Sequence, residues 1–521
     1  MLRLLLASFL TLLFSACAGR SVCPSDTTTH TVRPARPGPG AFDFPTDAPL
    51  AGRSAFRLLS EPADAYAARL YLVDHARKTL DVQYYIFKDD RIGNDFLYHL
   101  YLAAERGVKV RILLDDLTTT GEDTDWAMAA CHPNIELKIF NPNPWRRFFR
   151  NVALVLGIET LGKRMHNKAL VADGQAAIVG GRNIGDEYFL RGSPVMFIDA
   201  DVVAVGAVVP KIAEAFEIYW RSEQAVAADE VLEGAFDAKT LRDALKSFLA
   251  ENEAFENSDA FAPVRMAPFL RPDARTALPF TVARDAWFYY DLPEKVSGAE
   301  ASFLSRRLRR DIEGAKERLV LVSPYFIPTG RMLERLEAAR RRGVEVTVVT
   351  NSLASTDVAV VYSGYRKYIE PLLKMGVRLY EVKPVPLPEA KISREERRQR
   401  RMSLHTKMVV IDKERLVVGS ANVDPRSAKL NTEYLLEIDA PPLVAQVDAQ
   451  LASVIDETRL YRLAWEHYPA WAANGDEGYE GPVWITKERD EEVRYYRPPG
   501  VGFFKRLGIG LFGLLPVEGQ L

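Results

Sequence analysis

The feature that most constrains this chain is a string that occurs twice. His166-Asn167-Lys168 is followed by Asp173, and His405-Thr406-Lys407 by Asp412, so each copy reads His-x-Lys-x4-Asp. Gly180 and Asn183 follow the first histidine by 14 and 17 positions, and Gly419 and Asn422 follow the second at the same offsets. A single copy is readily an ordinary strand with one polar side. Two copies with matching offsets, more than two hundred residues apart, mark an internal duplication, and a duplicated chain is expected to fold as two similar halves. After each lysine the sequence turns continuously apolar (Ala169-Leu-Val-Ala172 and Met408-Val-Val-Ile411), so each string is predicted to be a strand that starts at its histidine.

The duplication extends upstream. Leu80-Asp-Val-Gln-Tyr-Tyr85 corresponds to Leu321-Val-Ser-Pro-Tyr325, and each leads through a helical stretch to Arg106-Gly-Val-Lys-Val or Arg342-Gly-Val-Glu-Val. A glycine closing a helix before a β-rich run predicts strand, helix, strand units. A third strand is expected at Ile135–Phe140 and at Val377–Val382. Alternation of this kind points to an α/β fold with a mixed sheet layered between helices in each half. Packed against each other, the halves would bring the histidines to a pseudo-twofold axis.

Side chains at i and i+2 share a face of a strand, so each histidine is expected beside its lysine. The Gly180-Gly-Arg-Asn183 and Gly419-Ser-Ala-Asn422 turns would add amides. Fixed positive charge and neutral donors on one surface suit an anionic oxygen. Two such half-sites would grip one phosphate through Lys168, Lys407, Asn183 and Asn422. A histidine working in proton or phosphoryl transfer also needs a carboxylate on its second ring nitrogen to fix the tautomer. Aligned downstream, Asp199-Ala-Asp201 and Glu433-Tyr-Leu435 keep a single offset of 234, which pairs Asp199 with His166 and Glu433 with His405. Asp173 and Asp412 lie beyond the apolar runs and are expected at strand ends in structural roles.

These strings resemble the paired signature of the phospholipase D superfamily. The extensions Gly180-Gly-Arg-Asn-Ile-Gly-Asp-Glu-Tyr188 and Gly419-Ser-Ala-Asn-Val-Asp-Pro-Arg-Ser427, with Leu430-Asn-Thr-Glu433, resemble its bacterial cardiolipin synthase branch of C type. The resemblance runs from about residue 55 to the C-terminus. It implies two similar α/β/α sandwich halves and a two-step exchange at a phosphodiester without a metal or other cofactor. One histidine would attack phosphorus to give a phosphohistidine, while the other protonates the leaving alkoxide and later deprotonates the acceptor. Symmetry leaves the nucleophile open; the resemblance favours His166, with His405 as acid and base. It also assigns orienting carboxylates to the positions of Asp199 and Glu433. The implied partners are phospholipids, phosphatidylglycerol first and phosphatidylethanolamine as a further candidate. A hydrolytic phospholipase D, a nuclease and a non-catalytic lipid-binding lipoprotein are the alternatives.

Composition narrows these. The 521 residues carry a net charge of −2, so no global basic field exists to grip a long polyanion, and no nucleic-acid partner is expected. The seven histidines and three cysteines show no metal-ligand spacing, so no catalytic metal is expected. Residues 1–17 read as a signal peptide ending in Phe14-Ser-Ala-Cys17, which resembles a lipoprotein box; a lipidated Cys17 would place the protein in the bacterial cell envelope, anchored at a membrane surface. Residues 18–50, rich in Pro and Thr, read as a flexible tether. The first half is then 51–225, the connector 226–300 and the second half 301–521. Interleaved arginines and aromatics at Trp145–Arg150, and the stretch Phe503–Leu514, suit insertion at a lipid interface without spanning it.

Overall fold

The computed structural model describes residues 42, 44–118, 123–143, 162–190, 193–232, 238–277, 279–298, 303–384, 401–456, 458–468, 479–489 and 491–502. Cys17, the signal segment, Trp145–Arg150 and the stretch 503–514 lie outside them.

Among the described residues two large mixed sheets form. In the first half, β1 (Ser54–Leu59), β2 (Thr79–Tyr84), β3 (Lys109–Asp115), β4 (Ile135–Phe140), β5 (Ala169–Ala172), β6 (Ala176–Gly180), β8 (Asp201–Gly206), β9 (Ala225–Ala227) and β10 (Thr281–Val282) stand in the order β10-β1-β8-β6-β5-β2-β3-β4-β9. The second sheet contains β11 (Asp285–Tyr290), β12 (Arg318–Val322), β13 (Glu345–Asn351), β14 (Arg378–Val382), β16 (Met408–Ile411), β17 (Arg415–Gly419), β18 (Tyr434–Asp439), β19 (Leu460–Tyr468), β20 (Tyr479–Glu488) and β21 (Glu491–Tyr495), in the order β11-β18-β17-β16-β12-β13-β14-β19-β20-β21. The two orders repeat: β8-β6-β5-β2-β3-β4 matches β18-β17-β16-β12-β13-β14. The parallel strands are the same three in each half, β2-β3-β4 and β12-β13-β14. Two short strands, β7 (Val195–Ile198) and β15 (Arg401–Leu404), pair in parallel with each other, one from each half.

The continuous apolar runs exist because both sheet faces are covered. Leu170 and Ala172 of β5 face an outer core formed with α1 (Pro62–His75) and α2 (Arg91–Glu105), whereas Ala169 and Val171 face an inner one. In the other half Val409 and Ile411 face outward and Met408 and Val410 inward. The inner core is shared: Val171, Val179 and Val202 of the first sheet belong to one cluster with Val322, Val418 and Leu436 of the second, together with α3 (Val209–Trp220). The halves are therefore packed face to face around a common interior.

Two sequence expectations change. The predicted histidine strands begin three residues late, at Ala169 and Met408, because the residues from His166 to Lys168 and from His405 to Lys407 leave their own sheets to meet the opposite half. The segment taken as a connector is built into both sheets: β10 pairs with β1, and β11 pairs with β18 along its whole length. The aromatic run Ala286–Tyr290 is thus an edge strand. Earlier in the same segment, α4 (Ala238–Glu256) packs on α2.

Asp173 and Asp412 close the turns after the histidine strands. Each adopts a left-handed backbone, φ 54° and 55°, a conformation Asp tolerates better than most residues. Each carboxylate accepts three consecutive backbone N–H groups: Arg77, Lys78 and Thr79 at 2.9, 2.7 and 2.9 Å, and Lys316, Glu317 and Arg318 at 3.0, 2.8 and 3.2 Å. They tie each turn to the residues entering the neighbouring strand.

Candidate active site

The path of the chain into each histidine is fixed by the opposite half. The His166 N–H donates to the Thr432 carbonyl at 2.9 Å, and the His405 N–H donates to the Ile198 carbonyl at 2.8 Å. Thr432 and Ile198 immediately precede Glu433 and Asp199, so one contact is made twice, once from each side. That reciprocity is the pseudo-twofold relation expressed in backbone hydrogen bonds.

It also crosses the carboxylates. Glu433 Oε2 and Oε1 lie 2.8 and 3.0 Å from Nδ1 of His166, and Asp199 Oδ2 lies 2.6 Å from Nδ1 of His405. The expected pairing of Asp199 with His166 and Glu433 with His405 is therefore exchanged, although the alignment that located the carboxylates stands. The reason is topological: β8 and β18 follow strand residues that pair across the interface, so each half hands its carboxylate to the other half's histidine. With Nδ1 occupied in both rings, Nε2 is the nitrogen left to meet a substrate. The two histidine side chains are 9% and 8% exposed, so both are nearly buried.

The lysines follow the same symmetry. Lys168 Nζ donates to the His166 carbonyl and Lys407 Nζ to the His405 carbonyl, each at 2.5 Å. Burial pushes Lys168 well below the ordinary lysine value, and pushes Lys407 down to about 8 against the pull of Asp199 and Glu433. An arriving phosphate anion reverses that effect by supplying the missing negative charge. The asparagines differ from each other. Asn183 donates from Nδ2 to the Tyr188 hydroxyl at 2.7 Å and accepts from the Ile86 N–H at 3.2 Å, so its amide is engaged within the protein. Asn422 Oδ1 is buried without a hydrogen-bond partner.

The carboxylates carry the main asymmetry. Burial raises Asp199, but His405, Lys407 and Arg182 outweigh it and hold the group at about 2. Burial raises Glu433 to about 7, against Lys168 and two serine hydroxyls. Those hydroxyls are Ser420 Oγ, 2.5 Å from Oε2, and Ser427 Oγ, 2.7 Å from Oε1. Ser427 in turn accepts the Asn422 N–H at 3.0 Å and is positioned by Asp424, which caps its N–H at 2.7 Å. The first half cannot copy this arrangement. Gly181 holds the position of Ser420, and a Cβ there would lie 2.2 Å from Asp199 Oδ1. Sequence reasoning missed both serines; the signal was the mismatch between Gly181 and Ser420 in otherwise aligned turns.

The histidines respond to these surroundings. Burial, then Lys168, Lys407 and His405, drive His166 well below its ordinary value. His405 is also lowered by burial and Lys407, but Asp199 pulls it back up by charge and hydrogen bond. The aromatic walls differ too: Tyr85 meets His166 edge-on at 4.9 Å, whereas Tyr188 and Phe197 flank His405 at 5.3 and 4.9 Å. The site thus holds two imidazoles that burial favours in the neutral form, His405 less so because Asp199 pulls it back, and two desolvated lysine amines.

Comparison with known proteins agrees with this geometry. The family described as "Cardiolipin synthase, PLD-like domain" matches residues 70–220 and again 308–455. The chain is 35% identical over 464 residues to cardiolipin synthase C of Escherichia coli strain K12, covering 88% of this chain and 94% of that protein. It is 25% identical to cardiolipin synthase A of Pseudomonas syringae pv. syringae strain B728a, over 78% of this chain and 69% of that one. The crystal structure of phosphatidylserine synthase from Haemophilus influenzae Rd KW20 shares the fold, with a TM-score of 0.54 at 15% identity over 81% of this chain and 89% of that chain. Two copies of one domain, each supplying a histidine, a lysine and the carboxylate for its twin, place this chain in the phospholipase D superfamily of enzymes, in its cardiolipin synthase branch.

Proposed function

We propose that the protein is a phosphatidyltransferase that makes cardiolipin from phosphatidylglycerol and a second phospholipid through a phosphohistidine on His166. The observation that carries this reading is the crossed pair of imidazoles with unequal carboxylates, on a chain so similar to a protein named cardiolipin synthase C. A nucleophilic imidazole must be neutral, and His166 is the more strongly held neutral of the two. A general acid must carry a proton, and ionised Asp199 stabilises that charge on His405.

In the first step His166 Nε2 attacks phosphorus and forms the N–P bond as the P–O bond to the departing alcohol breaks. His405 Nε2 donates its proton to that oxygen. In the second step the hydroxyl of the acceptor lipid gives its proton to His405 while its oxygen displaces His166 from phosphorus. Atoms and charges return to the start. Lys168, Lys407 and the amide of Asn422 stabilise charge on the phosphoryl oxygens, and Asn183 acts through Tyr188, which packs on His405. The slight exposure of the rings favours transfer over hydrolysis, since water is poorly admitted. The membrane surface is the proposed place of work, in the cell envelope, with Cys17 as the proposed lipid attachment. Among the described residues no helix is long and apolar enough to cross a membrane.

The test is incubation of the membrane-reconstituted protein with labelled phosphatidylglycerol, alone and with phosphatidylethanolamine, followed by separation of the lipid products. Cardiolipin is the expected product. Phosphatidic acid alone would overturn transfer in favour of hydrolysis, and cleavage of DNA with neither lipid product would replace the lipid reading by a nuclease.

A further inference from the structure

Away from the paired histidines, on the outer helix layer of the first half, a second histidine is ringed by carboxylates. Asp95 and His99 lie one helical turn apart on α2 and so share a face, and Glu256 ends α4. One ligand atom from each of Asp95, His99 and Glu256 falls within 4.8 Å of the others. His99 Nε2 lies 2.9 Å from Glu256 Oε1, and its Nδ1 lies 2.7 Å from Asp74 Oδ1. The Tyr66 hydroxyl donates to Asp95 Oδ2 at 2.6 Å. Asp95 is fully buried, and its other oxygen, Oδ1, has no hydrogen-bond partner.

Two observations ask for more than an ion pair. Three carboxyl groups, those of Asp74, Asp95 and Glu256, surround one imidazole. Of the neighbouring guanidinium groups, Arg265 donates to the backbone carbonyls of Glu256 and Ser258, and Arg106 donates to that of Val73 and acts on Asp74 through its charge alone. A buried carboxylate oxygen with no donor has lost its water without a replacement, and a cation supplies one.

We propose that Asp95, His99 and Glu256 form a structural site for a zinc-type divalent cation that staples α4 to the first half. One imidazole and two carboxylates are a nitrogen and oxygen donor set suited to such an ion. A carboxylate on the second nitrogen of a metal-bound histidine fixes the ring and strengthens the ligand, and Asp74 stands in that position. The cation takes the place of the proton on His99 Nε2, which is released on binding. At bond lengths of about 2.0–2.2 Å the imidazole and Glu256 need only separate slightly. The site fastens the segment between the halves, and it takes no part in phosphoryl transfer.

The test uses the full chain, stripped with chelator and dialysed against Zn²⁺, with Mg²⁺ as a parallel arm. Bound metal is measured by elemental analysis and the unfolding temperature is followed with and without zinc. The native chain should hold one equivalent of zinc more than Glu256→Gln or Asp95→Asn and should gain thermal stability that those variants do not. Asp74→Asn should keep the site with roughly ten- to hundredfold weaker binding. His99→Ala risks misfolding; Glu256 is partly exposed, so its variant keeps the test decisive. Equal zinc content in native and Glu256→Gln chains, or no stabilisation of the native chain by zinc, would overturn the proposal and leave an ion-pair latch only.

Discussion

The two halves surround their histidines with the same residue types in the same strand order, yet the carboxylates they exchange are unequal. The first half gives Asp199, held near pKa 2 by His405, Lys407 and Arg182 after burial has raised it. The second gives Glu433, raised by burial to about 7 and cradled by Ser420 and Ser427. Duplication supplies the geometry, and divergence at Gly181 and Ser420 makes the surroundings of the two carboxylates different. A symmetrical pair would offer two equal nucleophiles or two equal acids, whereas the proposed mechanism uses the inequality to assign one of each.

The largest way to break the comparison is to remove each histidine in turn. His166→Ala and His405→Ala should each lower phosphatidyl transfer by on the order of 10⁴-fold or more. They should separate on a donor with an activated phenolate leaving group: His405→Ala recovers much of its first step because no proton is needed there, and His166→Ala recovers none. Equal rescue of the two variants would erase the asymmetry.

Next come the carboxylates. Asp199→Asn should cost roughly 10²- to 10⁴-fold by depriving His405 of its counter-charge, and Glu433→Gln should cost less. The glutamine variant should also change the pH dependence of stability. Because the pKa of Glu433 is raised from 4.5 to about 7 on folding, the folded chain binds more protons than the unfolded chain in that window. Native stability therefore falls as pH rises from about 4.5 to 7, and Glu433→Gln should flatten that fall. Denaturant titrations at several pH values measure it.

A smaller effect is expected at the serines. Ser420→Ala and Ser427→Ala remove donors that lower Glu433, so the glutamate should titrate higher still and transfer should fall by roughly ten- to hundredfold per hydroxyl, as one hydrogen bond to a charged group is worth about 1.5–3 kcal/mol. A pH-rate profile checks this. The smallest effect on chemistry belongs to the string aspartates. Asp173→Ala and Asp412→Ala should each cost about 1–3 kcal/mol of stability, since three amides lose their acceptor, with turnover per folded molecule unchanged. Loss of turnover without loss of stability would return these residues to the reaction.

Much of this was legible in the sequence. Matching offsets gave both histidines, both lysines and the positions of Asp199 and Glu433, and the glycine-closed helices gave the repeated sheets. The crossing was not legible, because alignment reports which residues are equivalent and cannot report that equivalent residues trade partners across an interface. Glu433 lies 267 residues from His166 and Asp199 lies 206 from His405. Likewise Asp285–Tyr290 reads as linker because its partner strand, Tyr434–Asp439, lies far along the chain. Asp95 and His99, four positions apart, went unread in the sequence because Glu256 joins them only once α4 has packed on α2.

The most direct measurement is a rapid acid-free quench of the enzyme with phosphorus-labelled donor lipid, followed by mapping of the labelled peptide. The account predicts label on His166, retained in His405→Ala with the activated donor and absent from His166→Ala. Label on His405, or equal label on both histidines, would contradict it.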